Sequence, residues 1–199
     1  CCAGTFTDDF NRPDLGPNWL TCGDVSIVDN GLVLSQISPT NCSPWYWSEA
    51  TLVAPGTQLR DGVVQFDVDN PERQNNYNDQ FHIGFGAFFV AFSSQDMLCG
   101  RVLLLIGPSG QLASVCGFIF TPGRYEFSVS GSTIRFRNVV GGTPVDLQGT
   151  DSALTGPGPL LIRVNEQAST RIDNLVLMGG SCPATGFFDD FNRLDSNVV

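Results

Sequence analysis

The chain has 199 residues, 42% of them hydrophobic, enough for one sizeable core, and its 22 Gly and 12 Pro are spread along the whole length. That composition suits many short strands joined by tight turns and excludes a mainly helical protein. All ten basic residues are Arg, Asp supplies 16 of the 20 acids and the net charge is −10, so no basic surface can neutralise a run of phosphates and nucleic acid is excluded as a partner.

No apolar run approaches the roughly 20 residues that span a bilayer, which argues against membrane insertion. Cations, neutral sugars and proteins, including further copies of the chain, remain as partners. The sequence begins at Cys1 with neither Met nor a signal-like segment, as expected of a processed terminus or of a unit cut from a longer precursor.

In chain order, Ile27-Val28, the turn Asp29-Asn-Gly31 and Leu32 to Leu34 predict a hairpin. Asn41-Cys-Ser43 matches the acceptor pattern for N-glycosylation at Asn41. Trp45-Tyr46-Trp47 follows; alternation puts Trp45 and Trp47 on one face, either as a platform for sugar rings or as a stripe of core. Val64, Phe66 and Val68 alternate with Gln65, Asp67 and Asp69 in a half-buried strand. Asn70 to Gln80 is polar and rich in turn formers, an exposed loop of the kind that carries binding groups.

From Phe81 to Phe120 the sequence is more continuously apolar, as expected of strands covered on both faces. Within it, Cys99 and Cys116 flank the turn Gly107-Pro-Ser-Gly110. A hairpin centred there brings them near direct opposition, within disulfide range. Cys22 with Cys42 is a second candidate pair. Seven Cys with no Cys-x-x-Cys spacing and a single His, His82, form no metal-ligand pattern. Disulfides imply an oxidising compartment, hence a secreted or virion-surface location.

Tyr125, Phe127 and Val129 lead through Ser130-Gly-Ser-Thr133 into Ile134 and Phe136, with Arg135 and Arg137 on the other face: a second clear hairpin. At the far end, Asp189-Asp-Phe-Asn-Arg193 repeats Asp8-Asp-Phe-Asn-Arg12 at an offset of 181 residues. Cys1 with Cys182, Ala3 with Ala184, Phe6 with Phe187 and Asp14 with Asp195 extend the match to nine identities in 18 positions. Residues 1–181 therefore read as one unit, and 182–199 as the opening of a following repeat or as a strand given to a neighbour's sheet. In the second case Phe187, Asp189, Asp190, Phe191, Asn192 and Arg193 would take places homologous to Phe6, Asp8, Asp9, Phe10, Asn11 and Arg12.

The opening Phe6-Thr-Asp-Asp-Phe-Asn-Arg-Pro-Asp-Leu-Gly-Pro-Asn-Trp19 resembles the start of laminin-G-like, concanavalin A-like jelly-roll modules of secreted bacterial and phage proteins. Those modules commonly begin with an Asp-x-Phe-Asn-Arg, Leu-Gly, Asn-Trp signature. Gly123 to Ile134 resembles their penultimate hairpin, and Arg171-Ile-Asp-Asn-Leu-Val-Leu177 their closing strand. The resemblance implies an all-β, antiparallel two-sheet jelly-roll sandwich whose first and last strands are neighbours. That adjacency would bring Cys1 or Cys2 close to Cys182, able to link successive units covalently. It does not decide function, because the fold hosts lectins, hydrolases, adhesins and spacers.

Glycosidases of this fold need two carboxylates flanking the scissile bond, yet Glu49, Glu72, Glu126 and Glu166 are isolated from one another and Phe66-Asp-Val-Asp69 lacks a partner Glu. No Gly-x-Ser-x-Gly elbow accompanies His82, so no enzyme activity is expected. Asp8, Asp9, Asp14 and Asp173 are the candidate ligands for Ca²⁺, the one cofactor considered; the competing reading has Asp9 and Arg12 as local caps and ion pairs. The leading expectation is a structural subunit of an extracellular filament joined head to tail. The alternative is a carbohydrate-binding or adhesive module of a phage tail or cell-surface protein, using Trp45, Tyr46, Trp47 and the 70–80 loop.

Overall fold

Alternating apolar and polar residues along short strands build two antiparallel sheets in the computed structural model, which describes residues 5–35, 47–70, 80–96, 99–153, 156–165 and 169–179. The strands are β1 (Thr5–Asp8), β2 (Trp19–Cys22), β3 (Asp24–Val28), β4 (Gly31–Ser35), β5 (Trp47–Leu52), β6 (Gly62–Asn70), β7 (Gln80–Phe85) and β8 (Phe88–Asp96). There follow β9 (Gly100–Gly107), β10 (Gly110–Cys116), β11 (Gly123–Ser130), β12 (Thr133–Gly141), β13 (Asp146–Thr150), β14 (Leu160–Asn165) and β15 (Ser169–Gly179). An eight-stranded sheet runs β13-β12-β11-β6-β15-β4-β3, with β1 also on β15; a seven-stranded sheet runs β10-β9-β8-β7-β14-β5-β2. This is the expected two-sheet jelly-roll sandwich. Among the described residues no helix is long and apolar enough to cross a membrane.

Both predicted hairpins form with two-residue loops. Val28 pairs with Gly31 across Asp29 and Asn30, whose φ values of 50° and 60° mark the mirror-image turn that matches strand twist. Gly31 therefore belongs to β4, not to the turn. Ser130 pairs with Thr133, and Gly131 supplies the φ of 59° that the first turn position requires.

The core lies between the inner faces. Val64, Phe66, Val68, Tyr125, Phe127 and Phe136 of the eight-stranded sheet meet Phe81, Ile83, Phe85, Val90, Phe92 and Leu103 of the other, all buried. Their rings interlock edge to face, with Phe85 5.1 Å from Phe127 and Phe120 5.1 Å from Tyr125. The central block is covered on both faces only in part. His82, Ala91 and Val102 on its outer side are buried, but β10 is an edge strand and its Gln111, Ser114 and Cys116 are exposed.

Cys99 and Cys116 are bridged, with Cα atoms 5.1 Å apart. They are not directly opposed: Cys116 pairs with Val102, and Cys99 lies in the turn before β9. Cys22 is also disulfide-bonded, to a partner outside the described residues, where Cys1, Cys2, Cys42 and Cys182 all fall.

β15 is shared by three partners. Along one edge it pairs with β6; along the other its first half pairs with β4 from Ser169 to Ile172, and its second half with β1 from Leu175 to Met178. Asn174, with φ 47°, sits at the irregularity between the two halves. β1 thus occupies a four-residue slot beyond the end of β4.

Candidate ligand-binding face

The outward faces of the two sheets differ in chemistry. On the eight-stranded sheet, charges neutralise one another. Arg137 Nε donates to Glu126 at 2.7 Å, Gln65 donates to the other Glu126 oxygen at 2.8 Å, and Arg124 pairs with Asp67 at 2.9 Å. Asn174 also donates to Asp67, and Arg135 grips Asp146 through two nitrogens. Burial opposes ionisation of the Glu126 carboxyl, but hydrogen bonds from Arg137 and Gln65 outweigh it and hold its pKa below the usual carboxylate value. This face has spent its polar groups on itself.

The seven-stranded sheet presents a different outer surface. One rung across it reads Cys22, Glu49, Arg163, His82, Ala91 and Leu104, with Leu20, Thr51, Leu161, Gly84, Phe89 and Ile106 beside it. Trp47, one pleat along β5 from Glu49, projects to the same side. The Arg163 guanidinium lies 4.4 Å from the centre of the Trp47 ring and 5.6 Å from that of Phe89. His82 is wedged between the same two rings, 4.9 Å from Trp47 and stacked 5.1 Å from Phe89.

Arg163 Nε–H donates to His82 Nδ1 at 3.1 Å, so that nitrogen carries no proton and the imidazole is neutral. Burial, and then the Arg163 charge, push its pKa down to about 3. Burial also lowers the Arg163 pKa, while the field of Glu49 raises it. Glu49 accepts a hydrogen bond from Thr51 at 3.0 Å. The result is a half-buried aromatic platform carrying one fixed cation and one carboxylate, with Leu20, 64% exposed, at the β2 edge.

Of the aromatic triplet, Trp47 is placed on this platform, and Trp45 and Tyr46 lie outside the described residues, as do Asn41 and residues 71–79 of the expected binding loop. His82, Phe89 and Arg163 were not singled out as ligand contacts. They converge only through pairing of β5, β14, β7 and β8, and the one signal available was an Arg and a His at outward positions of apolar strands.

The four aspartates proposed for calcium are not assembled as ligands. Asp8, 5% exposed, accepts both terminal nitrogens of Arg12 at 2.5 and 2.6 Å, the Phe10 N–H at 2.9 Å and Trp19 Nε1–H at 2.8 Å, leaving no lone pair directed at an ion. Asp9, Asp14 and Asp173 accept backbone N–H groups within two residues of themselves. Among the described residues no three His, Cys, Asp or Glu side chains gather into a metal-sized cluster. The second copy of the motif, from Phe187 to Arg193, lies outside the described residues.

No protein-family model matches the chain, and no curated protein matches it. Solved structures do. The β-glucanase of Bacillus licheniformis aligns with a TM-score of 0.60 at 12% identity, over 91% of this chain and 100% of the enzyme. The exoplasmic/lumenal domain of VIP36, in its Ca²⁺/Man3GlcNAc-bound form, aligns with a TM-score of 0.60 at 10% identity over 90% of each chain. A protein of unknown function with a galectin-like fold from Bacillus subtilis aligns with a TM-score of 0.63 at 12% identity, over 87% of this chain and 94% of that one. At such identities the likeness is one of fold: the chain is a concanavalin A-like jelly-roll sandwich.

Proposed function

We propose that this chain is a carbohydrate-binding module of the extracellular space and that its ligand lies across the outer face of the seven-stranded sheet. The observation that carries the reading is the Trp47–Arg163–His82–Phe89 cluster. It offers apolar ring faces for the C–H surface of a sugar, a guanidinium to donate to hydroxyl oxygens and, in Glu49, an acceptor for hydroxyl protons. The acidic, sparsely charged surface suits a neutral glycan. Structural neighbours support the class, since they include a Man3GlcNAc-bound lumenal domain and a β-glucanase. The disulfides support the compartment.

A hydrolase is the weaker reading. Glu49 is the one carboxylate on that face among its described side chains, and glycoside hydrolysis takes two. The fibre-subunit expectation rests on the duplicated motif alone, which bears on assembly and not on ligand choice.

The test is an array of neutral and acidic oligosaccharides followed by calorimetric titration of the strongest hit. Trp47→Ala should weaken binding about tenfold, the effect of ~1.4 kcal/mol. If no oligosaccharide binds at millimolar concentration, or if the Trp47→Ala and Arg163→Ala variants both bind like wild type, the reading fails.

A further inference from the structure

Arg163 stands between two possible partners. Strand register sets it directly opposite Glu49 on β5 and directly opposite His82 on β7. Charge attraction alone favours the carboxylate, yet the guanidinium turns the other way. Its Nε–H donates to His82 Nδ1 at 3.1 Å, and Glu49 accepts from Thr51 instead. The two aromatic rings account for the turn. Trp47 and Phe89 attract the guanidinium at 4.4 and 5.6 Å and pack the imidazole at 4.9 and 5.1 Å, so the cation and its acceptor are held against the same pair of rings.

The choice of partner decides what is left over. A carboxylate would take two parallel N–H groups from the guanidinium; an imidazole nitrogen takes one. The N–H groups on the terminal nitrogens of Arg163 remain, and among the described residues none of them meets an acceptor. Unpartnered donors on a half-buried cation are costly, and a rigid fork of this kind is matched by two oxygens side by side. A carboxylate or a sulfate has such oxygens, but the net charge of −10 and the neighbouring Glu49 disfavour an anion. Adjacent oxygens on a neutral sugar ring suit the fork and leave Glu49 to accept from a hydroxyl.

We propose that His82 is the positioning residue of the sugar site: by accepting Arg163 Nε–H, it presents the terminal fork of the guanidinium to two adjacent oxygens of one neutral sugar ring. The inference rests on the carbohydrate-binding reading and adds to it a role for His82 and the feature of the sugar that Arg163 takes. His82 acts only as a neutral ring with its proton on Nε2, because a proton on Nδ1 would end the bond and set two cations in contact. Burial, and then the Arg163 charge, maintain that form by lowering its pKa.

The probes are Man3GlcNAc and a short β-glucan oligosaccharide, both neutral and both rich in adjacent oxygens. Each is titrated calorimetrically into wild type and the variants. His82→Leu, which fills space without an acceptor, should weaken the tighter-binding sugar about tenfold. His82→Asn, whose side-chain oxygen branches from the same carbon as Nδ1, should recover most of that loss. Arg163→Lys keeps the charge without the fork and should bind no better than Arg163→Ala. In the Arg163→Ala background, His82→Leu should cost nothing further. Because His82 is the chain's single histidine, its ring-nitrogen NMR signals are unambiguous, and in wild type they should report a bare Nδ1 and a protonated Nε2. Binding weakened by Trp47→Ala but untouched in a folded His82→Leu, an equal loss from His82→Leu with and without Arg163, or a proton on Nδ1 would overturn the positioning role alone. Arg163→Lys binding like wild type would overturn the fork. Failure of both sugars to bind wild type at millimolar concentration would overturn this inference together with the reading beneath it.

Discussion

His82 illustrates how one side chain is set by its neighbours. In the unfolded chain its imidazole takes up a proton below its ordinary value of 6.5, whereas in the folded chain protonation waits until about pH 3. The unfolded state thus binds more protons between those limits. Stability is whole above pH 6.5 and drains as pH falls toward 3, at about 1.4 kcal/mol per pH unit. In His82→Gln, which keeps an acceptor for Arg163, urea midpoints measured from pH 7 to pH 4 should decline less steeply than in wild type. Asp8→Ala strands the Arg12 guanidinium and the Trp19 Nε1–H and should cost about 3 kcal/mol by denaturant unfolding. The Asp8–Arg12 pair was legible in part, as an acid and a base four positions apart in one motif, although the expected partner of Arg12 was Asp9. The Arg163–His82 contact was not legible, because it joins residues 81 positions apart through a strand register that no local pattern encodes.

The strands and hairpins that turn chemistry marks, β3–β4 and β11–β12, were readable because Asp-Asn-Gly and Ser-Gly-Ser-Thr admit few backbone solutions. Edge status was not, since a strand's neighbours are decided by the whole sheet, and β10 was therefore read as more covered than it is. A Cβ on Gly84 would stand 2.1 Å from the Phe88 carbonyl oxygen and 2.5 Å from Phe89 Cα. Gly84→Ala must therefore push β7 from β8, at a cost of roughly 1–3 kcal/mol in thermal unfolding, and weaken ligand binding by displacing Phe89. The Cys99–Cys116 bridge closes a loop with a sequence separation of 17, so the Cys99→Ala, Cys116→Ala double variant should lose about 3 kcal/mol under the same assay.

Taken whole, the molecule is a sandwich with one face occupied by its own charges and one left with aromatic rings and a single guanidinium. Arg137→Ala, on the occupied face, should leave glycan affinity within twofold of wild type; a large loss of affinity there would move the ligand to the other sheet. The β1–β15 pairing also has a temporal meaning. It joins segments about 170 residues apart, the most remote kind of contact and the slowest to form. During synthesis or export in the N-to-C direction, the first strand emerges with Phe6 and Phe10 uncovered and waits until Met178 has left the ribosome or the translocation pore. Residues of β1 are thus made before the rest of the sandwich and are among the last of it to be folded.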